Sequence, residues 1–173
     1  MSLTAAVWFV ILCALVMANL PFLLERRLAP WPWARGDGAD GLPGVARWGL
    51  AVLFLGLLAL WAWATVDLVG GSFAGGGADS ALFLLKLLLS LLMAAVLLAL
   101  AGRRRAGTKS FLDRFLEVLI GYALVGTLGF ALELNQGNAF AQGWEFYAVT
   151  LALFLVLGYP GFVWRYMLRR RTA

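Results

Sequence analysis

A chain of 173 residues that is 63% hydrophobic and 13% charged, with a mean hydropathy of +0.88, is composed for lipid rather than water; soluble domains carry about 25% charged residues. There is no histidine and one cysteine, Cys13, which excludes an internal disulfide, the usual Cys/His zinc site and a histidine-ligated haem. The net charge of +5 comes from bases flanking apolar runs, which points to anionic phospholipid headgroups and not to nucleic acid.

A helix needs about 20 mostly apolar residues to cross the hydrocarbon core. The first candidate covers about 3–20, with no side-chain charge ahead of it and Arg26 and Arg27 behind it. That flanking is expected of a retained anchor with its N-terminus outside, not of a cleaved signal peptide. Asn19 stands where its amide can bond a neighbouring backbone or cap its own helix. Pro21 costs little near the interface, where neighbours or water take the freed carbonyls.

The second span, about 46–69, ends at Asp67 and the glycines at 70, 71 and 75–77. So short a turn makes it an antiparallel neighbour of the third span, about 81–101. Lys86 is the sixth residue of that third span, only about 8 Å from its start. It can snorkel outward or pair with Asp67, Asp79 or Glu133; proton or ion handling is the sharper alternative.

In the fourth span, about 112–133, Asp113, Arg114 and Glu117 share one helix face. Arg114 is within reach to neutralise Glu117. A carboxylate on a short stem snorkels poorly, so Glu117 is read as an inter-helix or subunit contact. Tyr122 continues that region, and Gly121, Gly126 and Gly129 permit close helix approach.

The stretch GNAFAQGWEFYAV at 137–149 is the turn into the fifth span, about 146–168. Trp144 and Tyr147 mark one headgroup level, Trp164 and Tyr166 the other. Trp144 and Trp164 lie about 30 Å apart along a helix, which matches the hydrocarbon thickness. Pro160, in GYPG, removes the bond to the Val156 carbonyl and makes a bend.

Of the 14 basic residues, 13 fall in three regions: Arg26, Arg27, Arg35 and Arg47 from the end of span one to the start of span two, Arg103, Arg104, Arg105, Lys109 and Arg114 from the end of span three to the start of span four, and Arg165, Arg169, Arg170 and Arg171 in the tail. The positive-inside rule places those regions in the cytoplasm. The expected fold is all-α: an integral membrane protein of five transmembrane helices in a single membrane domain, 1–173. Its N-terminus lies outside, its C-terminus in the cytoplasm, and its cytoplasmic loops are 25–45 and 102–111. Arg103, Arg104, Arg105, Arg169, Arg170 and Arg171 anchor it to lipid headgroups. No Ser–His or Cys–His pair stands out, and the GGG at 75–77 lacks the Lys and Ser/Thr of a nucleotide loop. No catalytic, cofactor-binding or metal-ligating residue is expected. Asn19, Pro21, Lys86, Glu117, Tyr122, Glu133, Trp144, Tyr147 and Pro160 are read as helix–helix or subunit contacts.

Three stretches carry a family resemblance: AAVWFVILCALVMANLPFLLERR at 5–27, LEVLIGYALVGTLGFALE at 116–133 and QGWEFYAVTLALFLVLGYPGFVWRYMLRR at 142–170. They resemble small uncharacterised inner-membrane proteins of Betaproteobacteria, encoded beside the genes of the respiratory NADH:quinone oxidoreductase, complex I. The resemblance implies a bacterial inner-membrane location. It also implies association with membrane subunits of complex I, as a non-catalytic accessory subunit or assembly factor. Asn19, Pro21, Glu117, Glu133, Trp144, Glu145, Tyr147, Pro160 and Arg165 lie in the matching stretches. Family members have about three spans, so the hairpin 45–101 departs from the pattern. The competing function is a small transporter or ion-conducting component, with Lys86, Glu117 and the 158–161 break as its parts.

Overall fold

The computed structural model describes residues 2–33, 43–71, 80–102, 109–137 and 140–168. Helix α1 is Leu3–Leu23, and α2 is Gly44–Thr65, continued by a π-helical turn at Val66–Gly70. Helices α3 (Ser80–Gly102) and α4 (Phe111–Asn135) follow. The last span is α5 (Trp144–Leu157) and α6 (Tyr159–Val163), continued by a second π-helical turn at Trp164–Leu168. Five apolar helical stretches are long enough to cross a bilayer: Leu3–Leu23, Gly44–Gly70, Ala81–Ala101, Phe111–Asn135 and Trp144–Leu168. This is an all-α, multi-pass membrane protein.

The helices are apolar on nearly every side, so burial and lipid exposure both suit them. Their order in the bundle follows from which faces carry small or interlocking side chains. Helix α4 is central. It turns Val118, Gly121, Val125, Leu128 and Leu132 inward at helical spacing. Ala14, Ala18 and Phe22 of α1 pack against Val118 and Val125 of α4 and Phe154 of α5. A second cluster joins Phe54 and Trp61 of α2 to Phe83, Leu87, Ala94 and Leu98 of α3, and continues to Leu124, Leu128 and Ala131 of α4.

Helices α2 and α3 are also clasped by polar groups. The Thr65 and Ser90 hydroxyls are 2.7 Å apart, and the Trp61 indole donates to the Ser90 carbonyl at 2.9 Å. At the next turn Asn135 of α4 donates to the Val69 carbonyl at 3.1 Å, which holds the π-helical turn against α4.

Two prolines interrupt spans, and each break is met by a neighbour. At Gly158 the fifth span changes from α5 to α6. The Asn19 amide of α1 enters this break: its nitrogen donates to the Leu157 carbonyl at 2.8 Å, and its oxygen accepts from the Gly161 N–H at 2.7 Å. Those two groups would bond each other in an unbroken helix. The glycines admit α1 closely, since a Cβ at Gly158 would sit 3.1 Å from the Ala18 carbonyl oxygen. One at Gly161 would sit 2.8 Å from the Asn19 side-chain oxygen. Asn19→Leu leaves two backbone groups unsatisfied, at about 1–3 kcal/mol for such a group. Its unfolding midpoint in detergent is expected to fall accordingly; an unchanged midpoint would show that the amide bridge contributes nothing.

Candidate functional site: a buried charge cluster

Helix α1 ends within three residues of Pro21, and its final carbonyls have no intrahelical donors. The segment 24–33 then folds back under the bundle, with Arg27, Leu28, Ala29 and Trp31 buried. Helix α4 starts beside it behind Ser110, and its first two turns bring Asp113, Arg114 and Glu117 to the same place, all at most 2% exposed. Charges buried this deeply need partners.

Asp113 accepts two hydrogen bonds and faces one cation. Its Oδ2 faces Arg27 Nε at 3.3 Å and takes the Ser110 backbone N–H at 3.2 Å; its Oδ1 takes the Trp33 indole N–H at 3.0 Å. Glu117, one turn further on, accepts the Leu28 backbone N–H at 2.7 Å and forms an ion pair with Lys109. Lys109 itself also donates to the Pro21 carbonyl at 3.1 Å and the Arg26 carbonyl at 3.3 Å. Burial pushes its ammonium below the usual lysine range, and the Glu117 carboxylate offsets only part of that.

Arg114 does not make the direct pair with Glu117 that its position on the helix suggests. Its guanidinium turns to the end of α1, donating to the Pro21 carbonyl at 2.6 Å and reaching those of Phe22 and Leu24 at 3.5 and 3.4 Å. A cation is well placed there, at the negative end of a helix. Glu25 lies 3.9 Å from Arg114 and takes a two-pronged pair from Arg165, whose second bond is 3.0 Å. The cluster therefore ties the end of α1, the segment 24–33, the start of α4 and the last helical turn into one unit. Trp31 and Trp33 stack at 5.3 Å, with Trp48 edge-on to Trp33 at 6.4 Å, beside it.

The other candidate residues fall elsewhere. Tyr122 joins α4 to α5, donating to the Tyr147 carbonyl at 3.1 Å and sitting 2.8 Å from the Thr150 hydroxyl. The Tyr147 ring rests on Phe130 and Phe146. Pro21 is fully buried, whereas Pro160 is exposed in the first turn of α6. Trp144 is exposed at the start of α5, Glu133 is half-buried in the last turn of α4, and Lys86 is half-buried in the second turn of α3. Arg103, Arg104, Arg105, Arg169, Arg170, Arg171 and Asp79 lie outside the described residues. Sequence reasoning counted Arg27 and Lys109 only as cytoplasmic bases and did not single out Trp33, Thr65 or Ser90. Among the described residues no group of acids or cysteine could hold a metal ion.

Residues 81–169, just over half of the chain, match a family of proteins of unknown function, DUF2818. The chain belongs to this family. No curated protein and no solved structure matches it. The DUF2818 region takes in α3, α4, α5 and α6. It starts within the hairpin 45–101 that the sequence resemblance set apart, so α3 lies inside the family region. Lys109, Asp113, Arg114, Glu117 and Arg165 are on the DUF2818 side of the cluster, whereas Glu25, Arg27 and the end of α1 precede the matched region.

Removing one partner of a buried ion pair costs about 3–5 kcal/mol, while replacing both by apolar groups is often near neutral. Lys109→Met is therefore expected to destabilise the bundle strongly, and Lys109→Met with Glu117→Leu by clearly less than the two single changes added. The measurement is a double-mutant cycle on unfolding in detergent. Strict additivity would show that the pair does not couple.

Proposed function

We propose that this chain is a non-catalytic accessory subunit or assembly factor of a bacterial respiratory membrane complex, NADH:quinone oxidoreductase being the foremost candidate. The observation that carries a structural role is where the intramembrane polar groups go. Asn19, Glu117 and Tyr122 are each engaged by the chain's own backbone or side chains. The bundle thus has its own shape and offers apolar helix faces to whatever lies beside it. On α3 alone Leu84, Leu85, Leu88 and Leu92 are exposed. In a bilayer such faces meet either lipid or other helices, and association there rests on packing and modest polar contacts. The choice of complex is supported by the sequence resemblance at 5–27, 116–133 and 142–170.

In this reading the ion cluster lies at the cytoplasmic membrane surface, with the N-terminus outside. That orientation is supported by the distribution of basic residues. It is tested with a reporter active only outside the cytoplasm. Inserted at 75–77 it should be active, and at the C-terminus silent; reversed signals would overturn the orientation.

The partner is tested by extraction in mild detergent through a C-terminal tag, followed by mass spectrometry. Membrane subunits of NADH:quinone oxidoreductase are expected in stoichiometric amounts. Recovery of a homo-oligomer that carries ion flux in liposomes would overturn the proposal in favour of a small transporter.

A further inference from the structure

A laterally open groove of about 670 Å³ runs between α1, α4 and α5, on the half of the bundle away from the ion cluster. That volume lies within the range of about 300–1,000 Å³ typical of small-molecule sites. It exists because α4 thins out there: a Cβ at Gly126 would have nothing within 4 Å, and one at Gly129 would meet only Val10 at 3.9 Å. Along α4 the groove extends from Tyr122 to Gln136, about 21 Å. One leaflet of the hydrocarbon core is about 15 Å deep, so the groove is long enough to take an acyl chain over a full leaflet.

The polar groups inside it are already engaged. Tyr122 and Thr150 bond each other, and Thr127 donates to the Ala123 carbonyl at 2.8 Å. At the mouth the situation reverses. Glu133 and Gln136 line the groove in and just beyond the last turn of α4. Among the described residues the Glu133 carboxylate has no hydrogen-bond or ion-pair partner. A carboxylate at the edge of an apolar groove favours a cation that arrives attached to a hydrocarbon chain.

We propose that this groove is a lipid site, holding one acyl chain of an ethanolamine phospholipid whose ammonium pairs with Glu133. The Gln136 amide stands where it can donate to the phosphate. Phosphatidylglycerol brings the same chain and phosphate but no cation to the carboxylate. An isoprenoid quinone brings carbonyl acceptors, for which Glu133 is the wrong partner and the interior hydroxyls are no longer free. The site does not depend on the partner proposed above.

The test uses the full chain, purified in mild detergent and studied by native mass spectrometry with added phosphatidylethanolamine or phosphatidylglycerol. One phosphatidylethanolamine should be retained in preference. Glu133→Gln should lower its retention about threefold, the scale of one exposed ion pair, and remove the preference. Gly126→Leu projects into open space, so the fold stands; it should fill the groove and abolish retention of both lipids. Equal retention of the two lipids, a preference that survives Glu133→Gln, retention that survives Gly126→Leu, or a neutral isoprenoid carried in the groove would each overturn the proposal.

Discussion

Two carboxylates one helical turn apart, Asp113 and Glu117, govern how the end of this bundle is arranged. Each is buried at the start of α4, where the helix N-terminus favours negative charge but desolvation opposes it. Their remaining acceptor capacity must be filled from outside the helix, by Lys109 just ahead of it and by donors on segment 24–33. The indole of Trp33, the guanidinium of Arg27 and the Leu28 backbone N–H all answer to them. Segment 24–33 consequently has a defined position in which Leu28, Ala29 and Trp31 complete the apolar core. A wholly apolar replacement could be as stable; what the charges supply is direction, since each carboxylate accepts different donors from different residues.

The cations then settle the end of α1. Pro21 cannot donate, and the helix stops soon after it, so the carbonyls from Pro21 to Leu24 face an apolar environment with no backbone donors of their own. Arg114 and Lys109 cover those of Pro21, Phe22 and Leu24. One turn earlier Asn19 performs the same service for another helix, joining Leu157 to Gly161 across the break in the fifth span. Irregular backbone at membrane depth is tolerated only where protein or water satisfies it. Here a side chain from α1 satisfies one break, and side chains at the start of α4 satisfy the other. That exchange is what makes α1, α4 and α5 with α6 mutually dependent rather than three independent spans.

Much of this was legible in the sequence. The five apolar stretches could be read from hydropathy alone, because lipid demands the same length of each. The shared face of Asp113, Arg114 and Glu117 followed from helical spacing, and the bend at Pro160 from its missing N–H. Which partner each charge takes did not follow. Lys109 and Arg27 read as ordinary interfacial bases because a loop has no period, and nothing local links Leu28 to a helix that begins 83 residues later at Phe111. Thr65 and Ser90 were hidden for a different reason. Single hydroxyls in long apolar runs look like tolerated neutral residues until two runs are set side by side.

The three glycines of α4 show the same limit from the other direction. Gly121, Gly126 and Gly129 look alike in sequence and suggest one surface of close approach. Only Gly121 serves that purpose: a Cβ there would lie 3.3 Å from the Met17 carbonyl oxygen, near the point where Asn19 and Pro21 bring α1 in. Towards the other end the same residue type leaves space unfilled. Close contact at Gly121 lies two turns from the bond between Arg114 and the Pro21 carbonyl that draws α1 to α4, whereas Gly126 and Gly129 have no comparable bond drawing α1 inward among the described residues. Small side chains permit approach without causing it. Where polar groups pull the helices together the glycine is closed over, and where they do not it opens a groove.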